Sequence, residues 1–352
     1  MYINFYICGI VNYMADGPSI PHDVAIASKD LKVVHLPSDD IFRGSAETAN
    51  PEVRPFYPVL EQVIVSASEK HKGPTVYKGK HQGFQYSFEL RGHQSTACMV
   101  DIVTPSGEKS EFVLRSHLKD ARDYLELARK YPLVRDNVPQ LLGVIREEWA
   151  ILEKLHGIEN DVVVKKLQAD PKFSSSYVQN AADLLVRSAE EDLLITDTFF
   201  KNGHNMKVNE TTAEIHFVEQ SIFRPKERYG NPSKERLIGG QLCKEYMGLV
   251  NRNWVDYGTP NQRVVEQFAP EANPLFIFEL TKAIGNKVPL DTLLGNDMGV
   301  TDYKFDPDLI KAVHEDNFSQ FQEVLVRDKD GSPTHLVYTG KPSPPPESLN
   351  LF

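Results

Sequence analysis

From residue 84 to residue 153 the hydrophobic period runs strand-type, then helical, then strand-type again, and this order limits the fold more than any other feature of the chain. Phe84-Gln85-Tyr86-Ser87-Phe88-Glu89-Leu90 alternates apolar and polar side chains, the pattern of a strand with one buried face. Thr96 to Val103 is β-branched and apolar. Pro105-Ser106-Gly107-Glu108 supplies a turn, and Glu111 to Arg115 returns as the next strand. These segments predict an antiparallel meander. The period then lengthens, with Leu118, Ala121, Leu125 and Ala128 forming one apolar stripe that predicts a helix over Leu118–Lys130, closed by Pro132. Val138 to Ile145 and Glu148 to Glu153 predict a hairpin, and Lys154-Leu155-His156-Gly157 a bend.

Beyond residue 160 the pattern is mainly helical, over Tyr177 to Ser188, Arg236 to Val250 and Asn273 to Ile284. Near the end, Glu323 to Val326 and His335 to Tyr338 flank Asp330-Gly331, which predicts a C-terminal hairpin. A β-rich half followed by an α-rich half predicts an α+β, bilobal plan. The expected division is an N-terminal extension over 1–70, a β-rich lobe over 71–157, a helical lobe over 158–322, and a hairpin with proline-rich tail over 323–352.

Composition narrows the partners. The formal charge of −10 and the lack of a dense Lys/Arg block argue against nucleic acid. Three widely spaced cysteines form neither a disulfide framework nor a zinc pattern. The apolar start MYINFYICGIVNYM is short and lacks a basic lead, so no membrane span and a cytoplasmic location are expected, with secretion left open; Met14 reads as an alternative start. The acidic surface and the Pro-Ser-Pro-Pro-Pro tail (342–346) suit a protein partner. The sequence has no GxSxG, GxxxxGK[ST] or GxGxxG.

The polar knot Asp197, Lys201, Asn202, His204 and Asn205, followed by the strand-like run 213–218 and Glu219, is the main chemical signal. In this order the chain resembles the protein-kinase-like superfamily, in divergent branches such as aminoglycoside and choline phosphotransferases. The resemblance covers roughly residues 75 to 225 and rests on order and spacing. It implies ATP and magnesium as cofactors. Gly92 and Ser95 would lie in the phosphate-covering loop, with Arg115 as the third-strand cation and Glu126 as its helix carboxylate. The Trp149 to Gly157 segment resembles the strand entering the family's hinge, with Glu153 at its end. Asp197 would accept the acceptor's proton, and Lys201 would neutralise phosphoryl charge. Asn202 or Asn205, with Glu219, would hold the metal. Arg for Lys at 115, Thr196 for a basic residue, and Glu for Asp at 219 depart from the family pattern.

Two other readings compete. One is a kinase fold without transfer chemistry, acting as a binding or regulatory module. The other is an ADP-ribosyltransferase using NAD: Phe321 to Val326 resembles that family's strand with a catalytic glutamate, and Ser174 to Ser176 its serine motif, although these serines also suit an N-cap.

Overall fold

The computed structural model describes residues 36–68, 70, 75–91, 97–116, 118–195, 206–218, 222–229, 232–250, 272–293, 303–304, 307–326 and 337–338. Helix α1 (Tyr57–Ser68) precedes four strands, β1 (Val76–His81), β2 (Phe84–Arg91), β3 (Ala97–Val103) and β4 (Lys109–Ser116). Helices α2 (Leu118–Lys130) and α3 (Pro132–Asn137) follow, then β5 (Leu141–Ile145) and β6 (Trp149–Glu153). Together these strands form one antiparallel six-stranded sheet in the order β1-β2-β3-β4-β6-β5. The meander, the helix and the returning hairpin therefore stand where their periodicity predicts.

The alternation decides which face is covered. Tyr86, Phe88 and Leu90 of β2, Cys98, Val100 and Ile102 of β3, and Phe112 and Leu114 of β4 are buried on one face. They pack with Val59, Leu60, Val63 and Ile64 of α1. The other face joins a second core. Ala150 and Leu152 of β6 pack there with Ala121, Tyr124, Leu125 and Ala128 of α2 and with much of the helical body. Helix α3 begins with Pro132 in its first turn, and the Glu191 carboxylate accepts the Leu133 N–H at 2.9 Å, so a distant acid satisfies an orphan helix donor.

The rest is mainly helical: α4 (Asn160–Ala169), α5 (Pro171–Glu190), α6 (Lys234–Val250) and α7 (Ala272–Gly285). Short strands lie between α5 and α6. Strand β7 (Leu193–Ile195) pairs with β10 (Phe223–Pro225), and β8 (Met206–Val208) with β9 (Ile215–Phe217). The chain continues through β11 (Tyr303–Lys304), α8 (Pro307–His314), α9 (Phe318–Val326) and β12 (Val337–Tyr338). These elements belong to one compact unit, Leu36–Phe352. Among the described residues no helix is long and apolar enough to cross a membrane.

Two expectations are corrected. Glu323 to Val326 is helical, and β12 pairs with β11 instead of with that segment, so the C-terminal hairpin is absent as drawn. Tertiary packing overrides the local turn signal. Phe318 and Phe321, three residues apart, both set their rings against Phe278 of α7, at 5.5 and 5.1 Å between centroids. Asn317 caps the turn by accepting the Gln320 N–H at 3.1 Å. The strand on which the ADP-ribosyltransferase reading rested is therefore a helix. Likewise Ser174 to Ser176 lie inside α5. The cap is Asp170, whose carboxylate accepts the N–H groups of Lys172 and Phe173 at 3.0 and 3.1 Å.

Candidate functional site

Residues directly opposite in an antiparallel ladder share a face, so the sheet register sorts the second face into rows. The central row runs Val76, Glu89, Met99, Val113 and Leu152 across five strands. Its last three members, Met99-Val113-Leu152, are apolar. On one side lies the row Lys78, Ser87, Asp101, Glu111. On the other lies Arg91, Ala97, Arg115, Ala150. The face therefore has an apolar stripe with an acidic border and a basic border.

The acidic border is held by the chain leaving β6. Asp101 and Glu111 are direct cross-strand neighbours, which would repel if bare. Lys154 bridges them, with Nζ 3.0 Å from Asp101 and also bonded to Glu111. Burial alone would lower the Lys154 pKa, but its hydrogen bonds to Glu111 and Asp101 outweigh that and hold it above the ordinary lysine value. His156 Nε2 lies 3.2 Å from Glu111.

Gly157 then makes the bend. Its φ is +150°, and a Cβ there would stand 2.6 Å from the Val208 carbonyl oxygen. That closeness lets Ile158 and Val208 exchange two backbone hydrogen bonds of 2.9 and 3.1 Å. The segment after β6 is thereby fastened to the β8–β9 hairpin. A cavity of about 220 Å³ opens beside this junction, lined by Glu89, Arg91, Met99, Lys154, Glu159 and Lys207 among others. Lys207 pairs with Glu159. Arg91 donates from Nε and Nη2 to the two Glu89 oxygens, each at 3.0 Å, and this bidentate bond raises its already high pKa.

The sequence candidates fall in different places. Arg115 is half-buried on the interior strand β4, between Ala97 and Ala150. Glu126 lies on the exposed side of α2, and no described residue pairs with it. The buried stripe of that helix carries Tyr124, whose phenol burial pushes up strongly. Arg115 and Glu126 are thus not brought together. Glu153 ends β6 opposite Phe112, on the α1 side of the sheet, and its N–H is taken by the Gln140 carbonyl at 3.0 Å. It lines an open groove of about 750 Å³ with Phe56, Phe112 and Glu52 among others, and this groove shares Ser87, Asp101 and Lys154 with the smaller cavity. Gly92, Ser95, Asp197, Lys201, Asn202, Asn205 and Glu219 lie outside the described residues. In sequence, Asp197 follows β7, Asn205 directly precedes β8, and Glu219 follows β9. Among the described residues no group of His, Cys, Asp and Glu is arranged to hold a metal.

Sequence reading missed Arg91, Glu89 and Lys154. Period-2 counting puts Glu89 and Arg91 on one face of β2, but only the register places them beside Met99 and in line with Arg115. No protein-family model matches the chain, and no characterised protein matches its sequence.

Proposed function

We propose that the chain is a divergent, bilobal kinase-like protein that binds ATP against the second face of its sheet and transfers a phosphoryl group with magnesium. The observation that carries this reading is the row order: an apolar stripe, Met99-Val113-Leu152, lies beside a basic row with Arg91 and Arg115. Adjacent rows are two residues apart along each strand, about 7 Å. Met99 of this stripe lines the cavity while Val113 and Leu152 pack against the helical core, so Met99 is the part that can meet a flat base, and Arg91, which lines the same cavity, suits the phosphates attached to it.

The order of elements supports the same reading. Strands β2 to β4, a helix, a returning hairpin and a bend run in the order that the resemblance implies, with β1 as an added strand before them, and residues 71–157 and 158–322 would be its two lobes. Arg115 faces the phosphates without help from Glu126. Asp197 orients or deprotonates the acceptor, and Lys201 neutralises developing charge. Asn202 or Asn205 and Glu219 hold the magnesium, with carboxylate and amide oxygens suited to a hard cation.

A second reading has its own observation. At about 220 Å³ the cavity is smaller than the roughly 300 Å³ at which ligand pockets begin. Its charges are also paired with one another, Arg91 with Glu89 and Lys207 with Glu159. These features favour a kinase-like scaffold used as a binding or regulatory module.

Calorimetric titration with ATP, with and without magnesium, tests both readings on wild type and Asp197→Ala, alongside an assay of γ-phosphate loss. Phosphotransfer predicts magnesium-dependent binding that survives the substitution and turnover that does not. Binding without turnover in either protein supports the module. No binding by the wild type removes both.

A further inference from the structure

We infer that the outer edge of β1 is a docking site for an extended, acidic segment of a protein partner, which adds a strand to the six-stranded sheet. This docking is independent of nucleotide binding.

The chain treats the two edges of the sheet differently. Strand β5 ends one side and is covered. The Leu142 carbonyl accepts the Asn50 N–H at 2.7 Å, and the Val144 carbonyl accepts the Tyr57 hydroxyl at 3.0 Å. Strand β1 ends the other side, paired with β2 over Val76–His81 without a bulge. Among the described residues no backbone group from outside this ladder bonds to Val76, Lys78 or Lys80.

The turn fixes which groups that edge presents. Gln82 and Gly83 have φ of +48° and +85°, so His81 and Phe84 flank a two-residue type I′ turn and exchange backbone hydrogen bonds. Bonded pairs then alternate along the ladder, at His81, Gly79 and Tyr77. The N–H and C=O groups of Val76, Lys78 and Lys80 therefore point away from β2. Their side chains share one face, and all three residues are exposed. Three outward backbone donor–acceptor pairs in a row are what strand addition requires.

Charge selects the occupant. Strand β1 carries Lys78, Lys80 and His81 and no acid, in a chain of formal charge −10. Lys78 and Lys80 lie opposite Ser87 and Gln85, which are uncharged. The acid of β2, Glu89, is held by Arg91, and Asp101, one strand further, by Lys154. An added strand with Asp or Glu at alternate positions sets each acid beside a lysine, with Cα atoms about 5.5 Å apart. A second copy is disfavoured by the same charges. Two β1 edges paired antiparallel in full register oppose Lys78 to Lys78, and a shift by one pair opposes it to Lys80. Like charges directly opposite repel.

The full chain is titrated at low salt with a fluorescent peptide that alternates Glu and Val, with its Lys and Val counterpart, and with a peptide of the first composition whose glutamates are contiguous. Binding is read by anisotropy, and amide hydrogen exchange by NMR. The alternating acidic peptide should bind and slow exchange at Val76, Lys78 and Lys80, while Tyr77 and Gly79, already in the ladder, change little. The lysine peptide should not bind. Lys78→Pro removes one outward N–H and leaves the β2 ladder intact, since an edge strand tolerates proline there. It should weaken the alternating peptide by about tenfold or more, as should the double variant Lys78→Glu, Lys80→Glu. Equal binding of both acidic peptides without protection of the edge amides means charge attraction alone and overturns strand addition. So does failure of the alternating peptide to bind. Edge protection that grows with protein concentration in the absence of peptide identifies a second copy as the occupant and overturns the acidic partner. If circular dichroism melts show that Lys78→Pro does not fold, the double variant, which alters two exposed side chains, decides together with the wild-type exchange pattern.

Discussion

Replacing Gly157 with alanine tests how the segment after β6 is fastened to the β8–β9 hairpin. Two costs add. The φ of +150° is one that L side chains rarely adopt, and holding a non-glycine residue there costs about 1–3 kcal/mol. The new Cβ would also lie 2.6 Å from the Val208 carbonyl oxygen and 3.0 Å from Val208 N and C. Those are backbone atoms and cannot swing aside, so the strand pair must part. The Ile158–Val208 bridge then weakens, and its two hydrogen bonds contribute about 1 kcal/mol each. The expected loss is about 3–5 kcal/mol. Gly107→Ala is the internal control. Its φ is also positive, at +90°, but nothing lies within 4 Å of the added Cβ, so it reports strain alone. Urea unfolding of both variants should give a lower midpoint at unchanged slope, with the larger fall for Gly157→Ala. A Gly157→Ala protein as stable as Gly107→Ala would refute the argument that backbone contact with Val208 requires glycine here.

Other perturbations have signs set by the same contacts. Asp170→Ala removes the two N–H bonds that cap α5 and should cost about 1 kcal/mol in denaturant melts, with serine at the site restoring most of it. Phe321→Ala empties a fully buried site against Phe278 and should cost about 3–5 kcal/mol by the same assay. Burial pushes the Glu279 carboxyl pKa up, with Lys282 pulling the other way. The folded state then holds that proton more tightly than the unfolded state, so stability falls as pH rises through the folded pKa. Glu279→Gln should therefore melt higher than wild type at neutral pH, and the gain should fade on acidification.

What was legible in the chain was set by short-range pattern. Strands β2 to β6 and helix α2 follow from alternation and from the Ala121-Leu125-Ala128 stripe, because each buries a face defined by its own sequence. The segment ending at Val326 was misread because Asp330-Gly331 and a β-branched run favour a hairpin locally. The competing contact, Phe278 with Phe318 and Phe321, joins residues about forty apart in sequence. The Ser174 to Ser176 cap was misplaced by a few residues, since Asp170 followed by Pro171 is the stronger start signal. Within the site, Arg115 falls on the fourth strand instead of the third, because Val76–His81 adds a strand before the others, while Glu126 lies on the exposed side of α2. Helical spacing puts Glu126 on the side away from Ala121 and Leu125, and that rotation was readable from the stripe itself. Arg91 could not be found in this way, because its link to Arg115 passes through the cross-strand register of Ala97.

The most direct test of the central claim uses the methyl group of Met99, one of six methionines in the chain and the member of the apolar stripe that lines the cavity. In a methyl-labelled protein its resonance is assigned by Met99→Leu and followed as ATP is added. A nucleotide bound on this face predicts that the Met99 signal shifts and saturates with the affinity measured by calorimetry. A Met99 signal that stays still while ATP binds would place the nucleotide elsewhere and contradict the account.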